Sequence, residues 1–318
     1  MESRYINRLH CIKVFILAAL LCYTQSSHAK EFHVAFVKSS DAAIYSSTIT
    51  KIKTHLRIKN NDHYSFSEYI ASDSSLNSAE LESNHDLVVS IGQAATDHIL
   101  SLDIKTGHLA TLITQKGFES AYYKAGSPDK TGALFIENPL THQILLARVF
   151  FGSNSRISTL SAHPETSRIR NTVKYAKKLG ISLYVETISP EDNLIGKLSH
   201  ALESSDALLA IPEPAVFNQT TARDILLTTY RQRVPVIAFS EAYVKAGALA
   251  AVHTTLEQIA EQTAEKIISA LNSNEFISEA PKYFSVSINK KVADALNIPT
   301  KDEETVKKEI MRLLARDS

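Results

Sequence analysis

The sequence predicts an α/β fold with two domains, each built on a parallel sheet. Short apolar runs of the kind that form buried strands alternate with helical periodicity along most of the 318 residues. Strands that alternate with helices form βαβ units, whose parallel sheets are covered on both faces. The alternation restarts after Glu137-Asn138-Pro139, and the chain is long enough for two domains.

Five apolar runs in the first half are strand candidates: residues 32–37, 64–70, 87–91, 109–114 and 133–136. The first is followed by Ser39, Ser40 and Asp41, residue types that commonly cap helices, and then by apolar residues on one helix face up to residue 56. Gly92-Gln93 closes the third strand and opens a helix that runs through residue 100. A proline restricts the residue before it, so we expect a hinge at residues 137–139.

The second half repeats this pattern. Its strand candidates are residues 156–161, 181–188, 207–211, 234–239, 248–252 and 283–288. Its helix candidates are residues 141–151, 165–179, 194–203, 222–231, 256–271 and a segment from 290. The tail, residues 301–318, is predicted to be a charged amphipathic helix with a solvated surface.

The first 29 residues have the layout of a secretory signal peptide. Basic residues precede an apolar run at residues 14–21, and Ser27 and Ala29 place small side chains at the two key positions of a cleavage site. We therefore expect cleavage after Ala29 and a protein located in the periplasm. Lipoprotein anchoring through Cys22 is the alternative, and it is disfavoured because Leu21 is bulky where a small residue is expected.

Composition excludes several classes of function. Lys+Arg and Asp+Glu both total 34, so the chain lacks the basic excess that collects nucleic-acid phosphates, and we expect no nucleic-acid partner. Both cysteines lie within the predicted signal peptide. The sequence contains no GxGxxG, GxxxxGK[ST], GxSxG or HExxH motif. His163 lies near Glu165 after a strand, but an ordinary surface histidine is the preferred interpretation. We expect neither an enzyme nor a bound metal or cofactor.

Ligands of open parallel sheets bind beyond the carboxyl ends of the strands. That rule selects ten candidate ligand-binding residues: Ser39, Ser40, Gln93, Thr114, Ser161, Glu213, Phe217, Ser240, Glu241 and Tyr243. Two such edges that face each other across a hinge would form a cleft.

The chemistry of these residues suits an amino acid or a similar small amine. Helix N-termini after Ser40 and Gln93 offer free N–H groups to a carboxylate. Glu213 and Glu241 offer negative charge to an ammonium group, and two aromatic side chains can cover an apolar group. The alternative is that the serines only cap a helix and that Glu213, held between two prolines, is a solvated turn residue.

One segment carries a specific resemblance. Residues 206–255, DALLAIPEPAVFNQTTARDILLTTYRQRVPVIAFSEAYVKAGALAAVHTT, closely resemble the exported substrate-binding proteins of ABC transporters, in the branch that includes the tryptophan-binding members. The likeness continues through residues 256–271 and through YFSVSINKKVADALNI at residues 283–298. It implies a type I periplasmic-binding-protein fold, in which two Rossmann-like domains enclose a small ligand and the chain crosses between them three times.

The resemblance places the crossings near residues 137–140, 243–248 and 278–284. The N-terminal lobe would comprise residues 30–138 plus 248–280, and the C-terminal lobe residues 139–247 plus 281–300. It implies a monomer that captures a small organic ligand and delivers it to an ABC permease. Two alternatives remain open: a ligand-sensing protein that serves a membrane signalling receptor, and an exported enzyme.

Overall fold

The computed structural model describes residues 30–59 and 63–317, and the predicted signal peptide lies outside these ranges. Within them, eleven strands form two sheets, which confirms the α/β fold with two parallel-sheet lobes. None of the helices in these ranges combines the length and the apolar character needed to cross a membrane.

The first lobe contains a five-stranded parallel sheet in the order β2-β1-β3-β4-β5. Its strands are β1 (Glu31–Lys38), β2 (His63–Ile70), β3 (Leu87–Ile91), β4 (Gly107–Ile113) and β5 (Thr131–Phe135). Its first helices are α1 (Ala43–Lys59), α2 (Ser78–Asn84), α3 (Gln93–Ser101) and α4 (Gln115–Lys124). Every residue of β3 is buried, as its continuous apolar run predicts for a central strand covered on both faces.

The second lobe contains a six-stranded sheet in the order β11-β10-β9-β8-β6-β7. Its strands are β6 (Arg156–Ser161), β7 (Ser182–Thr187), β8 (Ala207–Leu209), β9 (Val236–Ala238), β10 (Ala250–His253) and β11 (Ser285–Ile288). The remaining helices are α5 (Leu140–Phe151), α6 (Ser167–Lys178), α7 (Leu194–Leu202), α8 (Ala222–Arg231), α9 (Glu241–Ala246), α10 (Leu256–Ser273), α11 (Lys290–Leu296) and α12 (Glu303–Asp317). Only the β10–β11 pair in this sheet is antiparallel.

The chain crosses between the lobes three times. It leaves the first lobe after β5, because Leu140 at the start of α5 already belongs to the core of the second lobe. It returns after β10, since α10 packs against α1 and the first-lobe core. Glu279 then forms a parallel bridge with Leu134 of β5 before the chain enters β11.

Two features differ from the predicted layout. The segment at residues 248–253 pairs with β9 and therefore belongs to the second lobe, so the second crossing lies at residues 253–256 instead of 243–248. The C-terminal helix α12 packs on α5 and β11, and it buries Val306 and Ile310 in the second-lobe core. Its apolar face explains both its amphipathic pattern and its position.

Candidate functional site

A large cleft lies between the two lobes at the carboxyl ends of their strands. Its volume is about 1390 Å³, which exceeds the range of about 300–1,000 Å³ that is typical of pockets for small ligands. The size therefore indicates an open arrangement, in which the lobes stand apart around a smaller ligand space.

The floor of the cleft is formed by the first two crossing segments. The hydroxyl of Thr254 accepts a hydrogen bond from Asn138 Nδ2 at 2.9 Å and donates one to the backbone carbonyl of Tyr283 at 3.1 Å. Asn138, Thr254 and Tyr283 lie on the first, second and third crossing, respectively. One side chain thus joins all three connections between the lobes.

The second-lobe wall includes the Pro212-Glu213-Pro214 turn that follows β8. The Glu213 backbone N–H donates to Ile211 O at 2.7 Å, and its carbonyl accepts from Phe217 N at 2.8 Å, which makes the turn compact. Glu213 Oε1 also accepts a hydrogen bond from Ala162 N, after β6, at 2.7 Å. The described residues engage only this carboxylate oxygen, so Oε2 remains available to a ligand.

Charged groups from both lobes meet near this turn. Arg168, in the first turn of α6, lies in the cleft, where the charges of Glu137 and Glu213 act on it. Burial lowers the pKa of Arg168 from its ordinary value, although water reaches the side chain, because the cleft walls surround the guanidinium. Burial likewise raises the pKa of Glu137, whose Oε2 accepts from Gln115 N at 3.0 Å.

Five of the ten predicted ligand-binding residues line the cleft: Thr114, Glu213, Phe217, Ser240 and Glu241. Thr114 and Ser240 cap α4 and α9 with their hydroxyls. Phe217 is almost fully buried, so its ring forms part of the wall. Glu241 is exposed at the rim, and the hydrogen bond from Lys245 Nζ at 2.8 Å lowers the pKa of its carboxyl.

The other five lie outside the cleft lining, and local contacts engage four of them. Ser39 Oγ donates to Ile91 O and accepts from Ala95 N, while Ser40 Oγ accepts from Ala42 N. Gln93 Nε2 donates to Asp97 and to Gly117 O. Ser161 is buried and accepts from His163 N.

Tyr243 is the fifth residue outside the lining. Its ring packs beside Phe239, and its hydroxyl is buried without a hydrogen-bond partner among the described residues. Burial raises the pKa of this phenol to about 12. Tyr243 therefore lies behind the cleft wall, where its ring packs against Phe239.

The strand order of the first sheet explains which parts of the first lobe line the cleft. The first-lobe lining comes from the ends of β4 and β5, from α4 and from the start of α10. All of these lie at the sheet edge nearest the crossings, whereas β3 and β1 lie further along the sheet. The loops that carry Gln93 and the Ser39-Ser40 pair are therefore remote from the hinge in the open arrangement.

Sequence reasoning missed several residues of the cleft, notably Lys116, Arg168 and His253. The rule of strand ends selected only Ser161 after β6, because Arg168 lies further along the chain, inside the first turn of α6. Its signal in the sequence was a basic residue two positions after the capping Thr166. No three His, Cys, Asp or Glu side chains are placed to hold a metal ion in residues 30–59 and 63–317.

Two α/β lobes that are connected by three crossings and enclose an interlobe cleft define a type I periplasmic binding protein. A family model for ABC transporter substrate binding proteins matches residues 79–310, and the chain belongs to this family. The family and fold are those of solute-binding proteins rather than of enzymes. No curated protein matches the sequence.

Solved structures share the fold at low sequence identity. A ligand-free, open substrate binding protein with adhesive properties from Clostridium difficile is 16% identical, with a TM-score of 0.67 over 86% of this chain and 97% of that one. An ABC domain in complex with L-Trp from Streptococcus pneumonia is 17% identical, with a TM-score of 0.51 over 87% and 98%. A chain of the XylFII-LytSN complex is 10% identical, with a TM-score of 0.55 over 83% and 99%.

Proposed function

We propose that the protein is the periplasmic solute-binding component of an ABC-type transport system and that its ligand is an amino acid or another small organic amine. The observation that carries the ligand class is Glu213, whose carboxylate lies in the cleft with one oxygen free of hydrogen bonds. The turn that holds it is fixed by two prolines, so the charge is already in position before a ligand arrives.

The walls beside Glu213 support an organic ligand with an apolar group. Ile136, Ile211, Phe217 and Phe239 contribute apolar surface to the same cleft. A pocket of apolar walls with few polar groups is typical of small-molecule sites. The L-Trp complex of the Streptococcus pneumonia domain agrees with an amino-acid ligand for this fold.

The ligand class is tested by thermal unfolding of the purified protein with amino acids, amines, sugars and purines. A ligand at 100 times its Kd stabilises the folded state by about 2.7 kcal/mol. For a chain of this size that corresponds to a rise in Tm of about 5–10 °C. If amino acids and amines leave Tm unchanged while sugars or purines raise it, the proposed ligand class is wrong.

The role of Glu213 is tested by Glu213→Gln, which retains an oxygen to accept from Ala162 N but removes the charge. Affinity for an amine ligand should fall by about 2 kcal/mol or more if the carboxylate is desolvated against the ligand. Glu191→Gln is the matched control, because Glu191 is an exposed carboxylate of the same lobe that does not line the cleft. Equal affinities for the wild type and Glu213→Gln would remove Glu213 from the site.

Closure of the lobes would bring the remaining predicted residues toward the ligand. Ser39, Ser40 and Gln93 lie at the carboxyl edge of the first sheet, although away from the open cleft. We propose that this edge approaches the second lobe when a ligand binds, as in other proteins with hinged domains. Small-angle X-ray scattering should show a smaller radius of gyration with ligand than without it.

Export is part of the same proposal. The predicted cleavage after Ala29 would release a chain without cysteine, free in the periplasm and without a lipid anchor. N-terminal sequencing of protein recovered from the periplasm should begin at Lys30. A lipid-modified chain that begins at Cys22 would support the anchored alternative.

A second candidate is a sensory binding protein that presents its loaded form to a membrane receptor. A chain of the XylFII-LytSN complex has a similar fold, and this likeness supports the second candidate. Transport predicts that the loaded protein stimulates ATP hydrolysis by a permease. Sensing predicts instead that the loaded protein binds the extracytoplasmic domain of a receptor and changes its output.

A further inference from the structure

Arg168 is a cleft cation without a hydrogen-bond or ion-pair partner among the described residues. It is the second residue of α6, a helix of 12 residues, and it lines the cleft between the lobes. Its guanidinium makes no hydrogen bond and no ion pair within 4.0 Å with any described residue. A guanidinium offers five N–H donors in a planar fork, and all of them are open to a ligand.

None of the described acidic groups that line the cleft forms an ion pair with Arg168. Glu241 is paired with Lys245, and Glu257 is paired with Lys51 and His55. Glu137 and Glu213 act on Arg168 only through space, and one oxygen of each carboxylate accepts from a backbone N–H.

The Arg168 side chain is exposed in the open cleft, so water still solvates its charge there. The cleft walls nevertheless lower the pKa of Arg168 by partial desolvation. Closure of the lobes would remove the remaining water from the guanidinium, and an enclosed cation without a direct partner is energetically unfavourable. An anionic group on the ligand would offset it, and a carboxylate matches the fork with two parallel hydrogen bonds.

The neighbouring carboxylates restrict the type of anion. A doubly charged phosphate would face repulsion from Glu137 and Glu213, whose charges act on the same position. A singly charged carboxylate beside an ammonium group meets complementary charges instead. Lys116, the second residue of α4 on the opposite lobe, adds a further cation to the cleft.

Resting on the proposed solute-binding function, we propose that Arg168 binds a carboxylate of the ligand while Glu213 binds its ammonium group. The ligand class is then a zwitterion with adjacent carboxylate and amino groups. Arg168 is the specificity-determining residue that distinguishes an amino acid from the corresponding amine.

The test compares ligands that differ by one charged group. Each trio contains an amino acid, its amine without the carboxylate, and its acid without the amino group. The first trio is phenylalanine, phenethylamine and 3-phenylpropionate. The second trio is leucine, 3-methylbutylamine and 4-methylpentanoate. Inorganic phosphate and glucose, a neutral sugar, are tested as additional ligands. Affinities are measured by calorimetry for the wild type, Arg168→Gln, Arg168→Lys and Lys174→Gln. Lys174 lies on the same helix, is exposed and does not line the cleft.

The wild type should bind an amino acid more tightly than its matched amine and its matched acid. Arg168→Gln should weaken binding of that amino acid by about 30-fold or more, as expected when one partner of an enclosed charge pair is removed. Its effect on the matched amine, and the effect of Lys174→Gln on either ligand, should stay within about threefold. Arg168→Lys should recover part of the loss, because it restores the charge without the fork.

Other results would overturn the inference. If Arg168→Gln weakens the amine and the amino acid equally, Arg168 acts on closure of the lobes and not on the carboxylate. Tight binding of glucose, of phosphate or of the amines alone would refute the zwitterion while leaving a solute-binding function intact. If no member of these trios and no member of the wider panel binds, the proposed ligand class fails and this inference fails with it.

Discussion

His108 should make the fold sensitive to mild acid. Its imidazole is buried in β4, and its Nε2 lies 2.8 Å from Ser90 Oγ. Thr96 donates its only hydroxyl proton to Gly92 O, so Ser90 donates to Thr96, and His108 Nε2–H must donate to Ser90. The other ring nitrogen, Nδ1, is buried without a partner among the described residues, and burial lowers the pKa of His108 to about 3.

The sign of the effect follows from the two protonation states. Below its ordinary pKa of 6.5, the unfolded chain binds a proton at His108, whereas the folded chain stays neutral down to about pH 3. The free energy of unfolding therefore decreases as the pH falls from 6.5 toward 3. At pH 5 the loss from this residue is about 2 kcal/mol relative to pH 7.5.

The assay is urea unfolding of the wild type and of His108→Gln at pH 7.5, 6.5, 5.5 and 5.0. Glutamine retains an N–H for Ser90 but does not titrate. The difference in unfolding free energy between the two proteins should shift by about 2 kcal/mol in favour of the variant between pH 7.5 and pH 5. His163→Gln, which removes an exposed imidazole, is the control. Parallel pH profiles of the wild type and His108→Gln would refute the reasoning.

Three further substitutions test other parts of the structure. Thr254→Val should lower the free energy of unfolding by about 1–3 kcal/mol, because two hydrogen bonds at the crossings are lost. Chemical denaturation of the variant and the wild type measures this difference. Gly92→Ala should cost more than about 1 kcal/mol, since φ is +89° and an added Cβ would lie 2.7 Å from Ser39 Oγ; an unchanged Tm would contradict this. Ile310→Ala should cost about 2–5 kcal/mol, whereas Met311→Ala on the exposed face should cost about 0.5 kcal/mol or less.

Much of the strand framework was accessible from sequence because each strand is a short apolar run between helix signals. β3 and β6 begin and end at the predicted residues. The short helices were harder, since α9 has six residues and few apolar positions to show a period. The second crossing was misplaced because β10 is too short to show which sheet it joins. Pairing with β9 is a long-range contact that no local pattern encodes.

The candidate site was predictable only in part. Strand ends identified Glu213 and Ser240, because the rule of carboxyl edges depends on topology alone. The same rule selected Ser39 and Gln93, which satisfy their hydrogen bonds within the first lobe. Arg168 escaped it, because it lies inside the first turn of α6 and not at a strand end. Distances across a hinge are properties of the folded chain and leave no spacing in the sequence.

The single hydroxyl that joins the three crossings has a mechanical consequence. If the lobes close as proposed, segments tied together at Thr254 would place the rotation axis close to the cleft floor. Displacement grows with distance from such an axis, so Glu137 should move little while the loop of Ser39, on the far side of the first sheet, moves further. A bulkier ligand near the floor would then stop the rotation at a smaller angle. Because the rims lie far from the axis, a small difference in angle would give a larger difference in the distance between them. The spacing of the two rims would thus report ligand size to any partner that contacts both lobes.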